Sequence, residues 1–244
     1  MRIAELLKII FPDSIYCFSC NSIIDSSSLY GLCDSCMEKF NFANKKTCEK
    51  CGKILWEDGF SGRCKDCRNQ DHDFDKGYTC LMYGLMERKV LKRFKYCGES
   101  YMKDKLSVLL YDRLKIELNK GLIIDYLTCV PIHRRKKAER GYNQAELLAK
   151  GLSRLTGIEM LSRILVREKY TVPMSGLSKE MRKTNLREAF SVNKDWKTMI
   201  EGKNILIVDD VYTTGATLDA CAGLLKEEGA SSVYVLTLMA GRSN

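Results

Sequence analysis

Four C-x-x-C pairs constrain the fold of this 244-residue chain more than any other feature. The pairs are Cys17 and Cys20, Cys33 and Cys36, Cys48 and Cys51, and Cys64 and Cys67. Twelve residues separate the first pair from the second, and twelve separate the third from the fourth, so the segment is an internal repeat of about thirty residues. Two such turns present four thiolates and complete the tetrahedral shell of zinc. The spacing therefore predicts two closed, structural zinc sites.

Disulfides and a redox-active pair are the alternatives for these cysteines. A thioredoxin-type motif needs one C-x-x-C on a βαβ unit, whereas this segment has four in a loop-rich stretch. In a reducing compartment, many cysteines indicate metal binding sooner than disulfides. Pairing of neighbouring turns, first with second and third with fourth, closes the shorter loops and is favoured, while an interleaved arrangement stays open. Because so small a segment buries little apolar surface, metal binding should supply much of its folding free energy.

The remainder of the chain has the pattern of an α/β domain with a mainly parallel sheet. Hydrophobic residues make up 45% of the sequence, enough for one large core and a smaller module. Strand and helix signals alternate from about residue 76 onward. We predict a zinc-binding double-ribbon domain with a short amphipathic N-terminal helix at 1–75, and the α/β domain at 76–244. The predicted strands begin near Asp75, Leu127, Asn204 and Ser231, and the predicted helices near Leu85, Gly141 and Gly215.

Charge and apolar patterns limit the partners and the location. The formal net charge is +9, and it stays positive if eight cysteines bind two zinc ions as thiolates. A basic protein favours partners that carry phosphate. The sequence has no run of eighteen apolar residues, so we expect no membrane span. The opening residues are too few and too charged for a secretory signal, and we predict a cytoplasmic protein.

The stretch ILIVDDVYTTGATL, residues 205–218, combines two features that indicate one ligand. Its second half is a turn that enters a helix, where free backbone N–H groups and the helix dipole favour an anion. The turn is formed by Thr213, Thr214, Gly215, Ala216 and Thr217. Glycine allows close backbone approach and the threonines add hydroxyl donors, so we predict a phosphate monoester site.

Asp209 and Asp210, just before this turn, are the second feature. They would repel a phosphate and should therefore contact another part of the ligand. Ionised carboxylates only accept hydrogen bonds, which suits the hydroxyl groups of a vicinal diol. A ribose with a 5′-phosphate satisfies both demands. The alternative is that the two aspartates only end a strand in solvent.

VDDVYTTGAT resembles the phosphoribosyl-pyrophosphate (PRPP) signature of the type I phosphoribosyltransferases. The resemblance implies a parallel sheet flanked by helices and magnesium-assisted PRPP binding. It also implies that Asp209 and Asp210 form the catalytic pair on the ribose hydroxyls and that residues 213–217 bind the 5′-phosphate. VPIHRR resembles the short pyrophosphate loop of the same family, which implies a substrate-binding core of Pro131, Ile132, His133 and Arg134.

A run of cations follows this predicted loop. It contains Arg134, Arg135, Lys136, Lys137 and Arg140. A solvated face is the alternative for any one of them, but we expect one or two, Arg140 among them, to contact pyrophosphate or nucleic acid. An acid–base role for His133 is a weaker hypothesis, because a single loop histidine is not specific.

The order of segments along the chain resembles the ComF family of bacterial competence proteins. The cysteine pairs come first, followed by a basic helix ending near FKYCGE, by VPIHRRKKAERGYNQAELLAK, by a block at 167–190 and by the VDDVYTTGAT loop. The block keeps the family's Arg167, Thr171, Leu177, Arg182, Asn185 and Phe190. Met174 stands where glutamine is usual. The resemblance implies a role in bringing single-stranded DNA into the cytoplasm during natural transformation, at the inner face of the membrane through partner proteins.

Four functions are compatible with these residues. The first is a ComF-type protein that binds PRPP and also single-stranded DNA, through its ribbons or through the basic loop and helix near Tyr96 and Tyr142. The second is an enzyme that transfers phosphoribose to a base or another nitrogen acceptor and releases pyrophosphate. The third, an amidophosphoribosyltransferase, is disfavoured because residues 1–75 carry cysteine pairs in place of a glutaminase domain. The fourth is a non-catalytic regulator that senses PRPP. The sequence selects neither the acceptor nor the oligomeric state.

Overall fold

A computed structural model describes residues 16–25, 28, 30–44, 46–55, 62–170 and 186–241. The predicted amphipathic helix at the N-terminus lies outside these ranges. So do five positions of the ComF-like block, namely Thr171, Met174, Leu177, Arg182 and Asn185.

Six strands form two sheets within the described residues. They are β1 (Lys76–Met82), β2 (Tyr126–Cys129), β3 (Leu165–Arg167), β4 (Phe190–Val192), β5 (Asn204–Tyr212) and β6 (Ser232–Ala240). The main sheet has the order β1-β6-β5-β2, and its neighbouring strands are all parallel. β3 and β4 form a separate antiparallel pair. The predicted α/β architecture with a mainly parallel sheet is confirmed.

The central strands are apolar on both faces, as a sheet covered on each side requires. In β5, Leu206 and Val208 belong to one buried core, whereas Ile205 and Ile207 belong to another. Because successive side chains of a strand point to opposite faces, the two cores lie on the two faces of the sheet.

Eight α-helices surround the sheets within the described part of the chain. They are α1 (Asp34–Met37), α2 (Lys65–Asn69), α3 (Leu85–Tyr96), α4 (Lys103–Leu118), α5 (Arg134–Arg140), α6 (Gln144–Thr156), α7 (Lys197–Ile200) and α8 (Ala216–Glu227). Helices α3, α4 and α6 cover one face of the main sheet, and α8 covers the other. The predictions of α3, α6 and α8 are confirmed, but α4 was not predicted. Among the described residues, no helix is both long and apolar enough to cross a membrane.

The repeat in the cysteine-rich segment is visible in the backbone. Tyr16 pairs with Ile23, and Thr47 pairs with Ile54, in equivalent antiparallel bridges. Helices α1 and α2 each follow the first cysteine of the second C-x-x-C turn in their repeat. Cys17 and Cys36 of the first repeat belong to one core of the sheet, and the four cysteines of the second repeat belong to the other. The ribbons therefore pack against the α/β part, and the boundary between residues 75 and 76 stays a prediction.

Backbone of the ribbon segment covers the outer edge of β1. The Gly77 amide donates to the Lys50 carbonyl oxygen (2.6 Å), and the Met82 amide donates to that of Asn41 (2.7 Å). Gly52 has a φ of 74°, and a Cβ there would lie 2.6 Å from the Gly77 carbonyl oxygen. The two backbones therefore approach to a distance that only glycine permits.

Candidate functional site

Two chain segments leave the carboxyl edge of the main sheet side by side. In the neighbouring strands β2 and β5, Cys129 is paired with Val208, and the Val130 amide donates to the Val208 carbonyl oxygen over 3.0 Å. The β2 segment (residues 131–140) therefore begins beside Asp209 at this edge of the sheet. The β5 loop (residues 213–217) follows a few positions later. Ligands of open parallel sheets bind beyond this edge.

Asp209 and Asp210 lie within β5, where β2 has ended and β6 still pairs with β5. The Asp210 amide donates to Asp209 Oδ1 (2.8 Å), and Lys95 Nζ of α3 lies 2.9 Å from Asp210 Oδ2. Desolvation, together with the charge of Asp210, raises the pKa of Asp209 to about 8. Asp210 is therefore ion-paired with Lys95, while Asp209 beside it lies in a desolvated position next to a like charge. Sequence analysis placed Lys95 only on a basic helix face.

The β5 loop places hydrogen-bond donors at the N-terminus of α8. Thr213 and Thr214 are exposed, and Gly215 is the N-cap residue with a φ of 84°. Ala216 and Thr217, the first helical residues, are half-buried. A Cβ at position 215 would lie 2.5 Å from the hydroxyl of the last residue of β5, so both conformation and space require glycine. The first amides of a helix have no intrahelical acceptor and can bind an anion.

Buried polar side chains form the floor beneath the β5 loop. Tyr212, His72 and Asp219 are almost inaccessible to solvent and are joined by hydrogen bonds. Sequence analysis identified none of the three as site residues. One signal was present, since His72 is one of two histidines in the chain and lies between two aspartates.

The β2 segment forms a helix where a basic loop was predicted, so that prediction is wrong for residues 134–140. Helix α5 starts at Arg134 because His133 is its N-cap, with Nδ1 accepting a hydrogen bond from the Arg135 amide (3.2 Å). Pro131 and Ile132 are half-buried in the turn that precedes it. None of the seven residues of α5, all of which the structure describes, is buried.

Cations and tyrosines of α3, α5 and the chain after β3 form the basic surface. Its residues that contact or act on one another are Tyr96, Arg135, Lys136, Arg140 and Tyr170. Lys89 and Lys92 are exposed at helical spacing from Tyr96 on α3 and are counted with them. The Arg140 guanidinium lies 4.9 Å from the centroid of the Tyr96 ring and donates to its hydroxyl (3.0 Å), while Arg135 lies 5.5 Å from that of Tyr170. Tyr96 is 65% exposed. Burial, and then the charges of nearby arginines, lower the pKa of Lys136, so a bound anion would relieve repulsion among these cations.

Arg167 and Tyr142 support the site from its inner side. The Arg167 guanidinium lies 5.0 Å from the centroid of the Phe190 ring, and its charge acts on both Asp209 and Lys136. Tyr142, expected among the cations, donates its hydroxyl to the Phe94 carbonyl oxygen (2.6 Å) and packs against the core. Tyr142 therefore packs beneath the basic surface, whereas Tyr96 is exposed on it.

The eight ribbon cysteines form two groups of four. The first group is Cys17, Cys20, Cys33 and Cys36, and the second is Cys48, Cys51, Cys64 and Cys67. Within each group the sulfur atoms all lie within 4.8 Å of one another. All twelve cysteines lie within the described ranges, and no disulfide joins any two of them. The favoured pairing of neighbouring turns is confirmed, and each group fits the four soft ligands of a closed zinc site.

The two groups differ in their surroundings. The first group has an exposed Cys20, whereas all four cysteines of the second are buried. A hydrogen bond from the Ser22 hydroxyl lowers the pKa of Cys20 to about 6. In the second group, hydrogen bonds from the other three cysteines, Cys51 first, lower the pKa of the Cys48 thiol. Burial raises the pKa of Cys36 to about 12, and contact with Cys48 raises the pKa of Cys51 and of Cys67, so neither environment favours the thiolate at all four positions.

Comparison with protein families agrees with both halves of the structure. The family described as Double zinc ribbon domain matches residues 6–68, and that described as Phosphoribosyl transferase domain matches residues 140–244. The second match contains Asp209, Asp210 and the β5 loop and begins after the turn that precedes α5. The α/β domain thus has the predicted type I phosphoribosyltransferase fold, and a double zinc ribbon precedes it.

Three curated proteins resemble nearly the whole chain. Competence protein F of Haemophilus influenzae is 30% identical over 207 residues, which cover 84% of this chain and 88% of that protein. The DNA utilization protein YhgH of Escherichia coli K12 is 29% identical, covering 86% and 90%. Competence protein ComFC of Bacillus subtilis is 29% identical, covering 85% and 83%.

Proposed function

The chain belongs to the competence protein F family, and from this premise we propose that it binds PRPP at the carboxyl edge of its sheet and single-stranded DNA on the adjacent basic surface. Its role is in DNA uptake during natural transformation, on the cytoplasmic side of the membrane, where partner proteins of the uptake machinery hold it. Two zinc ions stabilise the ribbons.

The observation that carries the PRPP proposal is the placement of two unlike groups on one strand. Asp209 and Asp210 lie on β5, and the donors of the β5 loop follow within a few residues. Carboxylate oxygens accept from the 2′- and 3′-hydroxyls of ribose, while the N-terminus of α8 binds the 5′-phosphate. A ligand with a vicinal diol and a phosphate monoester fills both.

The β2 segment supplies the third contact, to the pyrophosphate. The turn at Pro131 to Arg134 starts beside Asp209, and Arg140 adds a guanidinium at the end of α5. Guanidinium groups bind phosphate oxygens with paired donors. Magnesium would enter with PRPP, since Mg²⁺ is usually bound by substrate phosphates and one or two carboxylates, here Asp209 and Asp210.

The basic surface supports the DNA proposal. Its cations suit a phosphate backbone, and the exposed rings of Tyr96 and Tyr170 suit unstacked bases. Although an arginine lies near each ring, Tyr96 is 65% exposed and Tyr170 39% exposed. A single strand, whose bases are accessible, gains from both kinds of contact, whereas a duplex gains only from the cations.

Calorimetry with Mg²⁺ and PRPP tests the first half of the proposal. We expect the Asp209→Asn, Asp210→Asn double variant to lose PRPP affinity while its zinc content stays at the wild-type value. Asp104→Asn is the matched control, because Asp104 is exposed and lies on α4 away from the edge. Wild-type affinity in the double variant would refute the site.

A salt titration of single-stranded DNA binding tests the second half. Affinity for a surface that neutralises several phosphates must fall steeply as salt rises. Flat or absent binding would contradict the DNA proposal and leave the PRPP site standing.

The match to the phosphoribosyl transferase family favours a second candidate, transfer of phosphoribose to a base or other nitrogen acceptor with release of pyrophosphate. In that reaction Asp209 and Asp210 would hold the ribose and the β2 segment would stabilise charge on the leaving pyrophosphate. Incubation with Mg²⁺, PRPP and a panel of bases discriminates the two. Pyrophosphate release with one base would establish turnover, and its absence across the panel favours binding alone.

A further inference from the structure

A buried network joins the chain after the second cysteine group to the floor of the β5 loop. His72 Nδ1 lies 2.8 Å from Asp219 Oδ2, and each of these side chains is 1% exposed. The Asp73 amide donates to Asp219 Oδ1 (3.1 Å). The Tyr212 hydroxyl lies 3.3 Å from His72 Nε2.

Asp219 is a buried acidic side chain close to the proposed anion site. Asp219 lies in the first turn of α8, and its amide donates to the Gly215 carbonyl oxygen (2.8 Å). A buried carboxylate without donors so close to a bound phosphate would repel it. Here both oxygens have donors. If His72 Nδ1–H donates to Asp219, Nε2 is left to accept from Tyr212, so the contacts satisfy one tautomer of the ring.

The β5 loop rests directly on these side chains. A Cβ at Gly215 would lie 2.5 Å from Tyr212 Oη and 3.0 Å from His72 Cε1. The His72 ring stacks on Phe74 with 4.7 Å between centroids, and Phe74 meets the Tyr212 ring edge-on. These contacts hold the imidazole in one orientation. The imidazole in turn limits how closely the backbone of the β5 loop can approach the buried side chains beneath it.

The second ribbon holds this floor from the other side. Lys53, two residues after Cys51, places Nζ 5.3 Å from the centroid of the Tyr212 ring. Lys50, within the same C-x-x-C turn, donates to the Phe74 carbonyl oxygen. Contacts thus run without a gap from the second cysteine group to the β5 loop.

We propose that His72 and Asp219 are positioning residues, through which the second ribbon sets the affinity of the β5 loop for the phosphate monoester of its ligand. This inference rests on the PRPP site proposed above and deepens it. The segment that carries His72, between the second cysteine group and β1, then supports the site.

The test uses three variants of the full, zinc-loaded chain. His72→Phe keeps an aromatic ring for the stack on Phe74 but removes both hydrogen bonds. His72→Asn keeps an amide nitrogen near the place of Nδ1 and is the rescue variant. Asp219→Asn replaces His72→Phe if the latter does not fold, and zinc content and thermal unfolding report on folding in each.

Two measurements distinguish a positioning role of His72 from general damage to the fold. In His72→Phe we expect binding of ribose 5-phosphate to weaken about tenfold, with inorganic pyrophosphate affinity unchanged, because pyrophosphate binds the β2 segment. Amide hydrogen exchange without ligand should be faster at residues 213–219 only. His72→Asn should recover most of the ribose 5-phosphate affinity.

Wild-type affinity for ribose 5-phosphate together with wild-type exchange in His72→Phe would overturn the positioning role while leaving the proposed function intact. Equal losses for ribose 5-phosphate and pyrophosphate would also overturn it, since they indicate general damage. If the wild-type protein itself does not bind PRPP, the proposed function fails, and the exchange rates alone decide the positioning role.

Discussion

The β5 loop and the β2 segment leave the same edge of the sheet but are held in different ways. The β5 loop lies on three buried side chains and requires glycine at its centre. Helix α5 of the β2 segment has no buried residue among its seven, and it is held by a histidine cap and by Arg140 on Tyr96. The β5 loop is thus held in place by the protein interior, whereas the β2 segment is an exposed set of charges. The first suits a single phosphate monoester, while the exposed cations of the second suit pyrophosphate and the backbone of a single strand.

The largest expected effect comes from loss of the zinc ion that the second cysteine group would bind beneath the β5 loop. Cys51→Ser should cost one zinc ion and remove PRPP binding, because Lys50 and Lys53 on either side of Cys51 contact Phe74 and Tyr212 beneath the β5 loop. Zinc analysis and calorimetry measure both. Cys20→Ser, in the exposed first group, is the matched variant and should lose a zinc ion yet retain PRPP binding. Equal PRPP affinity in the two variants would remove the distinction between the groups.

Gly215→Ala should be next in size. The alanine would need a left-handed φ and space already taken by Tyr212 Oη, together about 2–4 kcal/mol. We expect a lower unfolding temperature and weak PRPP binding. Gly141→Ala is the control, because Gly141 also has a positive φ of 80° but no described heavy atom would lie within 4 Å of its Cβ. If both variants lose the same stability, the β5 loop is no more tightly held than α5.

The pH dependence of stability tests whether Asp209, on β5, is desolvated in the folded protein. Folding raises the pKa of Asp209 from its ordinary 3.8 to about 8, so the folded state holds a proton that the unfolded chain has released. Stability should therefore fall as pH rises from about 4 to about 8, by on the order of a few kcal/mol. Denaturant unfolding across this range measures it, and Asp209→Asn should flatten the profile. Asp104→Asn should leave the slope unchanged; a wild-type profile without slope would show that Asp209 is solvated.

The smallest effect belongs to the exposed segment. Arg135→Gln should weaken single-stranded DNA by about 1 kcal/mol and reduce the salt slope by about 0.7, with stability within about 0.5 kcal/mol of wild type. Arg154→Gln is the control, since Arg154 is an exposed arginine of α6 outside the basic surface. Equal losses in both variants would show that DNA binding is not located on the basic surface.

Sequence patterns predicted the chemistry of both segments but not their support. The C-x-x-C repeat, the four main strands and the turn before α8 are local signals, and each lies where it was predicted. His72 and Asp219 are 147 positions apart, and nothing local connects them. Helix α4 was missed because its apolar residues do not follow one face, as the exposed Ile116 shows. Helix α5 was missed because a run of charges gives no apolar period.

The contact between the ribbon backbone and β1 has a consequence for solubility. β1 is a border strand of the main sheet, and its outer amides and carbonyls are occupied by the ribbon segment around Gly52 and Asn41. An open edge strand of this kind would offer a template for pairing with another chain. A chain that has lost its metal should therefore aggregate through β1 before its sheet unfolds.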